Sequence, residues 1–397
     1  MELLVKKVKI KDKKLKKEGK IKLKNIIIFS GGTGTTEINK NFFKNYKKNK
    51  FKISYIVNCY DNGKSTGVLR DIFSSKILGS SDIRKLHSQQ YQFFFRKKKI
   101  SNFFNKRVTI NKIEDIKNLI VNKKIYNLPI SLESLILKNI SIFEKKLAKI
   151  LKSKKTLKDV SFANIIYSTF AYKFNSLSRA ETLIRDSFKL PFEVILNSEE
   201  NYFLSAINQK NELIMDEESL VDYEKKTPIK DIFITKKQLK YIRPSNIKKY
   251  LSRNKNNYPK INPKLIKIIN KADFIIYGPG TQYSSLYPTY LTNKLSYYIL
   301  KSQSKKIYIS NYKKDNDTVT LNQNDLIHKA LYYLNKRNSK NFNEKKLIDI
   351  VFIPKKNNKQ SNYLRVNINK LKIFNFENIF YETNNKLNKN IVNFTLK

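Results

Sequence analysis

Apolar residues in this chain fall into two kinds of stretch. Short continuous runs without polar alternation occur at "KLKNIIIFS" (22–30), "FKISYIVNCY" (51–60), "DFIIY" (273–277), "KIYIS" (306–310) and "LIDIVFIP" (347–354). Such runs are expected of strands buried on both faces. Longer stretches carry apolar residues at helical spacing. Ile38, Phe42, Phe43 and Tyr46 do so in 36–48, and similar patterns appear in "GVLRDIF" (67–73), "YLTNKLSYYILKS" (290–302) and "QNDLIHKALYYLNKR" (323–337). A strand, a loop, a helix and a second strand open a doubly wound sheet. The expected fold class is therefore α/β, Rossmann-like and mostly parallel. In such a sheet the strand ends "SGGTGT", "DNGKSTG", "GPGTQYSS" and Asn311 share one rim, where ligands bind.

Residues from about 84 to 190 read as helical and Lys-rich, including "SFANIIYSTFAYKF" (161–174). From 191 to 234 the short runs "FEVIL", "NYFLSAI", "NELIMDE" and "DIFIT" predict a small β excursion. The expected organisation is a basic arm at 1–21 and one Rossmann-type domain over 22–397, with a cap inserted over the rim at about 84–260. The last 40 residues alternate weakly and receive no assignment.

With 397 residues, 40% of them hydrophobic, the chain has enough apolar material for a sizeable core. No apolar run approaches the roughly 20 residues of a membrane helix, and the N-terminus lacks a continuous apolar segment, so a cytoplasmic location without a membrane partner is expected. The formal charge is +49. Its lysines are spread over nearly every segment, with no zinc-finger spacing and no RNA-recognition sheet signature, which predicts non-specific polyanion adsorption at low salt and no specific nucleic-acid partner. The single cysteine, Cys59, excludes an intrachain disulfide and a cysteine metal cage.

A composition rich in Lys, Asn, Ile, Tyr and Phe makes glycine informative. Of nine glycines, eight lie in four short stretches: Gly31, Gly32 and Gly34; Gly63 and Gly67; Gly79; Gly278 and Gly280. Glycine is needed where φ is positive or where backbone is approached closely. Gly31, Gly32, Thr33 and Gly34, between a strand and a helix, offer backbone N–H groups to an anion. Their spacing is neither the dinucleotide fingerprint nor a P-loop.

In "DNGKSTG", Asp61 could hold a Mg²⁺ ion bridging phosphates, while Asn62, Gly63, Ser65 and Thr66 contact phosphate oxygens. The alternative is that Asp61 and Ser65 cap a helix beginning near Gly67. In "SSDIRK", Asp82 suits a metal ligand or base and Arg84 a bidentate phosphate clamp, against an N-cap Asp beside an exposed Arg. Gly278, Pro279, Gly280, Thr281 and Ser284 begin a hydroxyl-rich helix suited to a phosphate or ribose. The two histidines, His87 and His328, have no partner motif and read as packing or surface residues.

The motifs "GGTGT", "DNGKSTGVLR", "LGSSDIRK", "SFANI", "NPKLIKIINKADFIIYGPGTQYSSLYP" and "YISNYKKDNDT" with "NDLIHKAL" stand in an order that resembles the 2-phospho-L-lactate transferase (CofD-like) family, which includes gluconeogenesis factors of the YvcK type. The resemblance covers about 22–335. It implies a Rossmann-like core with a cap and a nucleoside diphosphate-linked small molecule as ligand, bound by 31–34, 61–67, Asp82, Arg84, Asn164 and 278–285. In the transferase branch it implies Mg²⁺, with Asp61 as metal ligand and Asp61 and Asp82 as catalytic groups. In the other branch it implies a non-catalytic nucleotide-sugar-binding regulator of carbon metabolism or cell shape. It also implies pairing as a homodimer. Four positions depart from the family pattern: Asn62 and Lys64 replace an acid and a glycine, Ala163 replaces Gly before Asn164, and Ser81 replaces Gly before Asp82. Lys64 could bring positive charge to the diphosphate.

Overall fold

The computed structural model describes residues 23–396 except 97, 122–127, 152–156, 224–226, 255–256, 337–345, 356–363 and 375. The basic arm expected at 1–21 lies outside the described residues. The strands are β1 (Lys24–Phe29), β2 (Phe51–Val57), β3 (Arg107–Ile110), β4 (Leu157–Ser161), β5 (Glu193–Leu196), β6 (Phe203–Asn208), β7 (Leu213–Ile214), β8 (Ile229–Thr235), β9 (Phe274–Tyr277), β10 (Lys305–Ile309), β11 (Ile350–Lys355) and β12 (Asn378–Thr383). The helices up to β9 that bear on the rim are α1 (Thr36–Asn45), α2 (Lys64–Ile72), α3 (Ser81–Phe94), α4 (Lys98–Asn105), α5 (Ile113–Val121), α6 (Ile130–Leu151), α7 (Phe162–Phe174), α8 (Leu177–Ser187) and α9 (Glu217–Val221).

Seven strands form the central sheet in the order β12-β11-β10-β9-β1-β2-β5, every pair parallel. Chain order runs outward from β1 to β2 and β5 on one side and from β9 to β12 on the other. The crevice between β1 and β9 is thus the topological switch point, where parallel sheets bind ligands. Alternation along β1 supplies both faces. Ile26 and Ile28 pack with Phe42, Phe73 and Phe162 in one core, and Ile27 and Phe29 pack with Tyr277, Tyr290 and Leu326 in the other.

Three expectations change. "FEVIL" is not part of the β excursion: β5 extends the central sheet beside β2, because a short run buried on both faces looks the same in either setting. The excursion is the antiparallel sheet β7-β6-β8. The antiparallel ribbon β3-β4 interrupts the stretch read as helical. The unassigned C-terminal segment supplies β12, the seventh strand, and a helix over Asn384–Leu396. No helix among the described residues is long and apolar enough to cross a membrane.

Candidate functional site

Two glycine loops touch backbone to backbone at the switch point. A Cβ built on Gly34 would stand 2.2 Å from the Pro279 carbonyl oxygen and 2.4 Å from the Gly280 Cα, so no side chain fits there. Asn311, at the end of β10, fastens the β9 loop: its Nδ2 donates to the Gly280 carbonyl at 2.8 Å, and its Oδ1 accepts from the Gly280 N–H at 3.1 Å and from Gln282 Nε2 at 2.9 Å. Some backbone donors expected to face a phosphate are therefore committed within the protein. Besides Gly280, the Thr33 N–H bonds the Gly31 carbonyl at 3.0 Å and the Gly63 N–H bonds Asp61 Oδ1 at 3.0 Å.

Helix α2 begins at Lys64, three residues before the expected start, with Gly63 at the N-cap and no side-chain cap. The capping role considered for Asp61 and Ser65 is thereby corrected: Asp61 closes a turn onto Gly63, and Ser65 lies in the first helical turn. Thr66 Oγ1 and Ser81 Oγ are 2.6 Å apart, which ties α2 to the start of α3. Behind the loop, the fully buried Arg70 donates to the carbonyls of Tyr60 (3.1 Å), Asp61 (2.9 Å) and Tyr202 (2.8 Å), and lies over the Phe203 ring at 4.1 Å. It fixes the backbone that carries Asp61. The side chain of Lys64 lies outside the described residues.

Beyond β9, residues Gln282–Leu286 form one turn of π-helix, a form that clusters at functional sites. Pro288 has no N–H to return to the Ser284 carbonyl. That carbonyl instead accepts from Asn58 Nδ2 at 3.4 Å, and the neighbouring Ser285 carbonyl does so at 2.6 Å. Asn58, at the end of β2, thereby holds the turn that aims Ser284 and Ser285 at the rim.

These elements enclose a cleft of about 190 Å³. One wall is acidic. Asn62 Oδ1 accepts the Glu217 N–H at 3.1 Å, which docks α9 on the loop, and a Cβ on Gly63 would lie 2.3 Å from Glu217 Oε2. The Glu217 and Asp61 carboxyl groups share a hydrogen bond; burial, then the Asp61 charge, pushes the Glu217 carboxyl well above the usual range. Burial also raises the Asp82 carboxyl, with Lys85 at 3.2 Å opposing the rise. The other wall is basic, with Arg84, Lys85 and Arg107. Among the described residues no three His, Cys, Asp or Glu side chains form a metal-holding group. Mg²⁺ is commonly held by one or two carboxylates plus ligand phosphates, and the Asp61–Glu217 pair fits that donor set.

Of the residues predicted from sequence, Gly31, Thr33, Asp61, Gly63, Ser65, Thr66, Asp82, Arg84, Thr281 and Ser284 line this cleft together. Gly32, Gly34, Asn62, Gly278, Pro279 and Gly280 are not on its lining. Asn164 is buried and braces the start of α3, donating to Ser81 Oγ at 3.3 Å. Arg84 is buried, not the exposed residue of the alternative reading. His87 is a packing residue, fully buried between Tyr167 Oη at 2.6 Å and Glu181 Oε1 at 3.2 Å. His328 packs edge-on to Phe374, away from the cleft. Sequence reasoning missed Asn58, Lys85, Arg107, Glu217 and Glu218, all on the lining. Asn58 lies near the end of the run 51–60 read as a strand leading to the rim and was open to detection; Arg107 and Glu217 come from elements whose place at the rim only the tertiary fold decides.

A family model described as 2-phospho-L-lactate transferase CofD matches residues 26–382. The gluconeogenesis factor of Listeria monocytogenes is 22% identical over 343 residues, 86% of this chain and 81% of that protein. The gluconeogenesis factor of Bacillus subtilis is 43% identical over 49 residues, 12% of this chain and 16% of that protein. A crystal structure of a UPF0052-family protein from Bacillus halodurans superposes with a TM-score of 0.66 at 17% identity, covering 95% of this chain and 100% of that one, a likeness of fold.

Proposed function

The chain belongs to the CofD family, and from that premise we propose that its cleft binds a nucleoside diphosphate-linked donor and transfers a phosphoryl-linked group to an acceptor hydroxyl. The observation that carries this reading is the meeting of two glycine loops, a helix N-terminus with Ser65 and Thr66, and the Asp61–Glu217 pair in one cleft at the switch point. The glycine loop and α2 would hold the diphosphate, with Lys85 supplying charge. Asp61 and Glu217 would hold Mg²⁺, which when bound neutralises developing charge on the phosphoryl oxygens. The acceptor oxygen attacks the distal phosphorus, the bond from that phosphorus to the bridging oxygen breaks, and the nucleoside monophosphate leaves with the bonding pair. The acceptor proton passes to Asp82, whose raised carboxyl suits a base.

Thermal stabilisation of the purified protein by GDP or UDP in the presence of Mg²⁺ is the expected result, and Asp61→Asn should abolish the Mg²⁺-dependent part while the variant still melts cooperatively. A wild-type protein that no nucleoside diphosphate stabilises would sink the reading.

A second reading is a nucleotide-sugar-binding regulator without turnover. It is favoured by the name gluconeogenesis factor carried by the relative that aligns over 86% of this chain. It predicts binding of a UDP- or GDP-linked sugar at one per chain with no product, and slow consumption of the bound ligand by pure protein would count against it.

A further inference from the structure

Consecutive residues on an α-helix point about 100° apart, and at the start of α3 this separates two cations. Lys85 lies against the first glycine loop: a Cβ on Gly32 would come within 2.8 Å of its Cδ, and its ammonium pairs with Asp82 at 3.2 Å. Arg84 is directed elsewhere. Only 7% exposed, it donates from Nη1 to the Phe104 carbonyl at 2.6 Å, and its Nε has no hydrogen-bond partner.

Arg107 reaches the same cleft from β3. It donates to Ser65 Oγ at 3.3 Å and to the Asp159 carbonyl at 2.8 Å, and its ion pair with the Asp159 carboxylate is long, 3.6 Å, with Asp159 78% exposed. Such a pair contributes little. The two guanidinium groups repel: burial, then the Arg107 charge, pulls Arg84 down to about 10, and Asp82 and Asp61 act on it more weakly. Arg84 stays charged at neutral pH. A buried guanidinium nitrogen without a partner, on a cleft lined also by a second arginine and by Ser65, Thr66 and Ser81, costs free energy that a bound anion would offset.

We propose that Arg84 and Arg107 form a subsite for a second anionic group of the ligand, a carboxylate or a phosphate ester separate from the diphosphate held at the glycine loop. The inference rests on the nucleoside diphosphate reading of the cleft, because it assigns the other end of that ligand. Guanidinium groups suit either anion through paired N–H donors.

The test compares wild type with Arg107→Gln in about 0.2 M KCl, which screens the surface charge. Inorganic phosphate and malonate are the small-anion probes, and GDP and UDP with Mg²⁺ are read separately. Arg107 is 46% exposed, so the variant should keep its fold, checked by circular dichroism and melting. The expected result is roughly tenfold weaker binding of the preferred small anion, with nucleotide affinity changed less than about twofold. Preference for phosphate assigns a phosphate ester, and preference for malonate assigns a carboxylate. The proposal falls if wild type binds neither small anion, if Arg107→Gln binds them like wild type, or if small-anion and nucleotide binding weaken in the same proportion. Small-anion binding that depends on Arg107 in a protein that binds no nucleotide would leave the subsite standing and remove the nucleotide reading.

Discussion

Gly34 shows how little room the rim leaves. A methyl group there would overlap both the Pro279 carbonyl and the Gly280 backbone, and neither can yield as a flexible side chain would. Gly34→Ala should separate the two loops, lower the melting temperature by an amount corresponding to about 1–3 kcal/mol, and remove stabilisation by GDP or UDP with Mg²⁺. Calorimetric melting with and without nucleotide reads both effects; a variant that still gains the wild-type nucleotide shift would mean that the contact between the loops does not serve binding. Glycine loops were legible in the sequence because nothing else substitutes for glycine at such contacts. Arg107 and Glu217 were not, since one arginine among 81 Lys and Arg residues, or one acid in "MDEESL", carries no local mark. What distinguishes them is the ribbon β3-β4 and helix α9, each brought to the cleft by pairing and packing across long stretches of chain. Arg70 was hidden in the same way, being an ordinary helix residue until its carbonyl partners are seen.

At the scale of elements, strands buried on both faces announced themselves. β1, β2, β9, β10 and β11 all overlap runs read from sequence, whereas β12, with "NIFYET" largely half-exposed, offers no continuous apolar run of that kind. β5 was visible as a strand but not as a member of the central sheet, and its place there depends on a polar clasp. Glu193, at its start, accepts from Ser54 Oγ at 2.8 Å and pairs with Lys264 at 2.8 Å and Lys52 at 3.1 Å. Burial alone would raise this carboxyl, yet the hydrogen bonds from Lys264 and Ser54 hold it at about 2. A folded-state value below the unfolded one stabilises the protein above the unfolded value and loses that contribution as pH falls through the folded one. Glu193→Gln should therefore destabilise at pH 7 by on the order of 1–2 kcal/mol, allowing for the half-exposed lysines. The gap from wild type should close as pH drops from about 4.5 toward about 2. Urea melts across that range provide the check, and a gap that stays constant with pH would show that Glu193 acts through packing and not through charge.

The whole molecule carries +49, and this charge competes with the cleft for the same class of ligand. Lysines dispersed over the surface attract any polyanion, but exposed charges are screened within about 8–10 Å at moderate ionic strength. The cleft differs because Arg84 is buried and Lys85 is held by Asp82, so its attraction for a phosphate is screened much less. Duplex DNA should therefore bind at low salt with a steep dependence on KCl and be released by about 0.3 M, whereas nucleotide binding in the cleft should fall by only a few-fold over the same range. Self-repulsion of the folded chain adds a second consequence: the melting temperature without ligand should rise with KCl as like charges are screened. Fluorescence anisotropy with a DNA duplex and isothermal titration with GDP or UDP, run at matched KCl concentrations, separate the two modes of binding. Parallel salt slopes for DNA and nucleotide would place both on the dispersed surface charge and leave the cleft without a ligand of its own.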